Sequence, residues 1–190
     1  NLALVGTALL WIRQRYGRGL RDLGWRLENW RREVPVGIAL GALVFAGADA
    51  VQWLTGLVLS KLTNPDLASQ LMDQFGMARV VDGALSSLPG WGMAVAVLVI
   101  AVLVPIGEEL LFRGFAYTAL KRRLGVPGGV VVSALVFAVL HASPADFAAL
   151  FAVGVALAWV YEWRGTLLAP ILAHALNNLA SAVLLLLGAG

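Results

Sequence analysis

The chain has 190 residues, of which 60% are apolar and only 13% charged, with a mean hydropathy of +0.83. Soluble domains average about 45–50% apolar and about 25% charged, so the composition excludes a soluble globular domain and specifies an integral membrane protein. There are no cysteines, which excludes disulfides, thiolate catalysis and Cys-ligated zinc. The net charge of +3 and the pI near 9.8 come from arginines flanking apolar spans and not from a nucleic-acid surface.

In chain order, Asn1–Ile12 reads as the tail of a span cut short, on a chain that begins without Met and is expected to be an excerpt. No cleavable signal peptide is visible. A basic segment from Arg13 to Glu33 follows, with Trp25 and Trp30 suited to a membrane interface. It reads as a cytoplasmic loop with a short surface helix. Val34 to Leu59 is the first full span, interrupted by Asp49 and Gln52. Asp49 is expected to make a helix–helix hydrogen bond. Ser60 to Gly90 is a polar connection in which Asn64-Pro65 reads as an N-cap with proline in the first turn. Leu67, Leu71, Met72 and Phe75 then form the apolar stripe of a helix lying on the membrane surface. Trp91 to about Leu120 is a long apolar element, with a bend expected at Pro105, closed by Lys121, Arg122 and Arg123. Gly128 to Ala142 forms a short span, Ser143-Pro144 a turn, Ala145 to Tyr161 a returning span, and Thr166 to Leu187 the last. The fold class is all-α, a polytopic membrane bundle of about five to six spans. It forms one membrane domain with three stretches: 1–33, 34–90 and a core over 91–190.

The polar residues inside this bundle are unusual. Glu108 and Glu109 are adjacent acids in an apolar helix, and a carboxylate in hydrocarbon costs roughly 2.5–3.5 kcal/mol on insertion scales. The only histidines are His141 and His174, both in apolar stretches. At ~1.5 Å per residue, Glu108 lies ~20 Å from Lys121, His141 ~20 Å from Gly128, His174 ~15 Å from Arg164, and Asn178 one turn deeper. Three helices thus deliver polar side chains to one layer. Glu109 and Arg113 stand at i, i+4, in the favourable order for an ion pair. Glu108 points about 100° away and is left unpaired, as suits a general base. Phe137 and His141 share a face, as do His174 and Asn178; Asn177 faces elsewhere and reads as structural.

The set Glu108-Glu109-x-x-x-Arg113, Phe137-x-x-x-His141 and His174-x-x-x-Asn178, in that order on three apolar helices, resembles the signature of the CPBP family. That family comprises CAAX-type prenyl endopeptidases and bacteriocin-processing enzymes, also called the ABI family. The resemblance spans roughly Trp91 to Leu187. It implies an intramembrane endopeptidase acting on a membrane-associated, CAAX-like or otherwise lipidated substrate. In that reading Glu108 activates water with help from His141, and His174 and Asn178 stabilise the oxyanion. Glu109, Arg113 and Phe137 support the site. Metal-free, glutamate-activated water and a zinc held by Glu108, His141 and His174 both fit the resemblance, with the metal-free reading favoured. Membrane lipid and a membrane-associated peptide or protein are the expected partners, with no nucleic acid. The expected location is a prokaryotic inner membrane, with Arg13–Arg32 and Lys121–Arg123 cytoplasmic and Ser60–Gly90 outside. A polar, water-filled funnel is expected to reach the site from the cytoplasm, with Gly107 and Gly114 supplying room. The alternatives are a catalytically silent immunity or scaffold protein of the same family and a proton-coupled transporter. The small bundle without inverted repeats disfavours the transporter.

Overall fold

The computed structural model describes residues 19–188, so the Asn1–Ile12 stub and the start of the basic segment lie outside the described residues. A short 3-10 turn, Leu20–Leu23, precedes the first helix. The helices are α1 (Trp30–Leu62), α2 (Pro65–Phe75), α3 (Met77–Ser86), α4 (Gly90–Leu140), α5 (Phe147–Arg164) and α6 (Leu168–Leu186). Four of them, α1, α4, α5 and α6, are long and apolar enough to cross a membrane. At 51 residues, α4 is far longer than the ~20 residues one crossing takes.

The length of α4 is explained by Gly125, whose φ of 71° and ψ of 178° break the helix. Only glycine adopts that conformation readily, and Pro127 then fits the first turn of the resumed helix. The chain folds back there. The ring centroids of Phe112 and Phe137, on the two arms, lie 5.0 Å apart. Among the described residues, the two arms and the three other long helices form a polytopic helical bundle, as expected.

The bend expected at Pro105 takes another form. The helix continues through it, with wide π-type turns at Val99–Leu103 and Leu110–Tyr117 on either side. Proline has no N–H for the carbonyl four residues back, and a wider turn is one way to absorb that defect. π turns often mark functional sites, and this pair brackets Glu108 and Glu109.

α1 packs on α6 through small residues. A Cβ at Gly41 would stand 3.0 Å from Ala173 Cα, and one at Gly37 3.0 Å from the Ala169 carbonyl. Helices in lipid gain little from hydrophobic burial against each other, so close backbone approach is what holds such pairs. A buried cluster of Val44, Phe112, Phe137, Val153, Leu157 and Ala173 joins α1, both arms of α4, α5 and α6. Asn64 caps α2 as expected, its side chain accepting from Leu67 N at 2.8 Å.

The two ends of the bundle are tied differently. At one end Arg164 donates to both carboxylate oxygens of Glu33, at 2.9 and 2.6 Å, and Lys121 Nζ sits 2.6 Å from both oxygens of Glu162. At the other end the carboxylate of Asp146 accepts from Gln52 Nε2 at 2.6 Å, from the Met77 backbone N–H and from Ser143 Oγ. The hydrogen bond expected of Asp49 is not made: its side chain is exposed on α1. Gln52, almost a turn further on, is the residue that bridges to another element. Sequence spacing located the polar interruption of the span but not which member of it faced inward.

Candidate active site

Glu109 is fully buried, and Arg113 is 2% exposed. Arg113 donates through Nη1 to Glu109 Oε1 at 2.7 Å and through Nη2 to the Gly154 carbonyl at 3.1 Å. Its guanidinium stands 4.9 Å from the Phe137 ring centroid. The Gly154 contact depends on a close approach, because a Cβ there would meet Ala134 Cα at 2.9 Å. Glu109 Oε1 also lies 2.9 Å from His174 Nδ1. Glu109 therefore does more than hold Arg113. It orients an imidazole, a link between motifs that spacing along one helix could not reveal.

Both imidazoles are fixed in the same sense. His174 Nδ1 faces a carboxylate, and His141 Nδ1 lies 2.7 Å from the Phe137 carbonyl. Both partners only accept hydrogen bonds, so each Nδ1 carries the proton. In the neutral tautomer each Nε2 then presents a lone pair. Those two Nε2 atoms lie 3.7 Å (His174) and 3.9 Å (His141) from Glu108 Oε2. That oxygen is buried and has no hydrogen-bond partner. Three acceptors thus face one point in a desolvated pocket. Such a pocket is unfavourable by itself and calls for a donor or a cation. Phe137 is the packing hub, with ring centroids 4.4 Å from His141 and 5.8 Å from His174.

The donor set suits zinc chemically, and second-shell acceptors on Nδ1 are usual for zinc-bound histidine. Donors bound to one zinc at about 2.0–2.2 Å lie about 3.4 Å apart, so Glu108, His141 and His174, at 3.7 and 3.9 Å, would have to draw together by a few tenths of an ångström to hold one. Among the described residues no group of three His, Cys, Asp or Glu side chains is arranged to hold a metal ion.

The structure does not bring Asn178 into contact with Glu108. Its Nδ2 donates to the Ile100 carbonyl, in the first π turn, at 3.2 Å, and its Oδ1 accepts from Asn177 Nδ2 at 3.3 Å. Asn177 is less peripheral than expected, since its Oδ1 is buried without a partner. Gly114 packs under the Leu23 carbonyl, which a Cβ would approach to 2.9 Å. It serves close packing and opens no passage.

Among the described residues, the side of the site toward the basic end is closely packed. Moving from Glu108 toward Lys121, the chain buries Arg113 and Tyr117, and Val130, Ala158 and Leu167 close the same side. The more open side is the other end, where His141 ends its helix with 19% of its side chain exposed. An apolar groove of about 530 Å³ lies there, between Val51–Leu62 of α1, Leu71, Met72 and Phe75 of α2, and Pro144 and Ala145. By helix rise, ~20 Å from the basic end of a layer of ~30 Å is already nearer the far side.

Over residues 90–180 the chain matches the family model described as type II CAAX prenyl endopeptidase Rce1-like. No curated protein and no solved structure matches it. Over that stretch the chain is therefore similar to the Rce1-like proteins of the CPBP family. The matched stretch includes both arms of α4, all of α5 and α6 through Asn178, so every residue singled out in the three motifs falls inside it. The family match over residues 90–180 and the four helices long and apolar enough to cross a membrane together support an integral membrane protein with a CAAX-protease-like core.

Proposed function

We propose that the protein is an intramembrane endopeptidase that hydrolyses a peptide bond of a membrane-associated, lipidated or CAAX-like substrate with water activated by Glu108. The observation that carries this reading is the unpartnered, buried Glu108 Oε2 facing two imidazole Nε2 atoms whose other nitrogens are committed as donors. A water has two protons for three such acceptors. One goes to Glu108 and one to His141 Nε2, which leaves an oxygen lone pair for the scissile carbonyl carbon. As that O–C bond forms, Glu108 takes the proton. It returns the proton to the leaving nitrogen as the C–N bond breaks, so one acid–base group serves both halves of the reaction.

The tautomers also constrain the oxyanion site. With Nδ1–H directed at Glu109, His174 can donate from Nε2 only as the imidazolium, held between the Glu109 and Glu108 carboxylates. Asn178 spends one of its two N–H groups on Ile100, and the second remains for the oxyanion. Donors preorganised in a site that excludes water are worth ~2.7–4 kcal/mol each. No step is routed through a metal.

The test is cleavage of a library of lipidated, membrane-tethered peptides by the purified protein in proteoliposomes, with and without chelator. Cleavage that survives chelator and is lost in Glu108→Gln supports this reading. Cleavage abolished by chelator and restored by zinc would replace the water mechanism with a metal-assisted one. No cleavage by an intact, folded protein, with peptide binding retained, would favour the catalytically silent alternative.

A further inference from the structure

His141 is the last residue before the turn that joins α4 to α5, and that turn is held from outside its own helix. The residue after it, Ala142, has φ 50°, the left-handed region that a residue with a Cβ seldom adopts. Such a conformation persists only where the surroundings over-determine it. Beside the turn stands one carboxylate that gathers three donors. Asp146 Oδ2 accepts from Ser143 Oγ at 2.6 Å and from the Met77 N–H, while Oδ1 accepts from Gln52 Nε2 at 2.6 Å. The Ser143 hydroxyl also lies 2.9 Å from the Phe75 carbonyl. Asp146 therefore joins α1, the α2–α3 junction and the turn, five residues from His141 and with the left-handed residue in between.

We infer that Asp146 is a positioning residue for His141, acting through Ser143 and the strained Ala142 to hold the imidazole with Nδ1 on the Phe137 carbonyl and Nε2 toward Glu108. The carboxylate accepts three neutral donors around one turn. Asparagine keeps the size but offers one acceptor oxygen, so Asp146→Asn must release at least one of the three. Freed of its tether, Ala142 relaxes toward an ordinary φ, and the His141 ring swings off its helix axis. This inference rests on the reading of His141 as part of the site, and its primary readout is independent of hydrolysis.

The chain contains only two histidines, so ¹⁵N-histidine labelling gives two imidazole spin systems, assigned with His174→Gln. In the unmodified protein the His141 signals should report a single tautomer protonated at Nδ1. Asp146→Asn, and more mildly Ser143→Ala, should move or exchange-broaden the His141 signals and leave those of His174 in place. Adding Ala142→Gly, which removes the backbone strain, to Asp146→Asn should restore the His141 signals at least in part. In the cleavage assay the same variants should lower kcat about 10-fold or more with KM little changed, and the glycine should recover much of that loss. Unchanged His141 signals in both folded variants would overturn the inference. So would equal disturbance of both histidines in Ser143→Ala, since that marks a general loosening. Displaced His141 signals with unaltered cleavage would leave the positioning intact and refute the catalytic reading of His141 instead.

Discussion

The two ends of this bundle are closed by opposite means. At the basic end full charges pair across helices: Arg164 with Glu33, Lys121 with Glu162, and the backbone of residues 23–26 with Tyr161, Thr166 and Leu167. At the other end a single carboxylate, Asp146, collects neutral donors, and beside it lie the apolar groove and the partly exposed His141. The comparison teaches where this molecule can open. Ion pairs with buried partners are costly to break once formed, because each leaves a charge stranded. Neutral hydrogen bonds around one turn are individually modest. Chemistry placed beside the second kind of closure can be reached without unlocking the first.

The sharpest way to break that comparison is at the boundary between the two regions, where two adjacent glutamates serve different ends. Glu108→Gln keeps shape and burial but removes the base. It should lower hydrolysis by ~10²–10⁴-fold, the range for a positioned general base, with the unfolding temperature close to that of the unmodified protein. Glu109→Gln should do the reverse in kind: the folded state should lose ~3–5 kcal/mol because Arg113 remains buried without its carboxylate. Chemical unfolding in mixed micelles, followed by circular dichroism, separates the two. Equal stability of both variants, with only Glu109→Gln inactive, would show that the roles are exchanged.

How much of this was legible in the sequence depends on what each feature needs. Spans, their order and the N-cap at Asn64 follow from hydropathy and local chemistry, so they were readable. The shared depth of Glu108, His141 and His174 follows from helix rise alone, and it holds. Depth, however, says nothing of azimuth. Azimuth depends on helix phase, and the π turns at Val99–Leu103 and Leu110–Tyr117 change that phase without any composition signal. Asn178 accordingly meets the Ile100 carbonyl in the first of these turns, and Glu109 reaches His174 as well as Arg113. Asp49 and Gln52 pose the same problem on α1: both interrupt one apolar run, yet only one faces the bundle. Asp146 was passed over because a lone acid in a turn looks like an ordinary cap, and its three donors come from residues 3, 69 and 94 positions away.

A smaller effect should come from the deeper tie of the basic end. Glu33 and Arg164 are nearly buried, with side-chain exposures of 6% and 8%, and their contact is bidentate. Glu33→Gln should cost ~3 kcal/mol, the lower end for breaking a buried pair, and should loosen the packing of α1 against α5. Hydrolysis measured well below the unfolding temperature should change little, because the site lies at the other end. A large loss of activity with stability intact would mean that the two ends are coupled and not separate.

The smallest expected effect tests whether charge at that end matters as such or only where water is excluded. Lys121 and Glu162 form an equally short contact of 2.6 Å, but their side chains are 40% and 25% exposed. Solvent screens such a pair, and exposed pairs measured by double-mutant cycles contribute about 0.2–1 kcal/mol. Glu162 also keeps a second donor, the Tyr117 hydroxyl at 2.7 Å, so loss of the lysine does not strand it. Lys121→Met should therefore shift stability by less than ~1 kcal/mol, and raising the salt concentration should shrink even that difference. Glu33→Gln should keep most of its cost at high salt, because its pair is shielded from the ions. If the two variants instead cost the same and fade together with salt, burial is not what distinguishes these pairs, and the closure of the basic end would have to be attributed to its apolar packing around Leu23, Leu167 and Ile171.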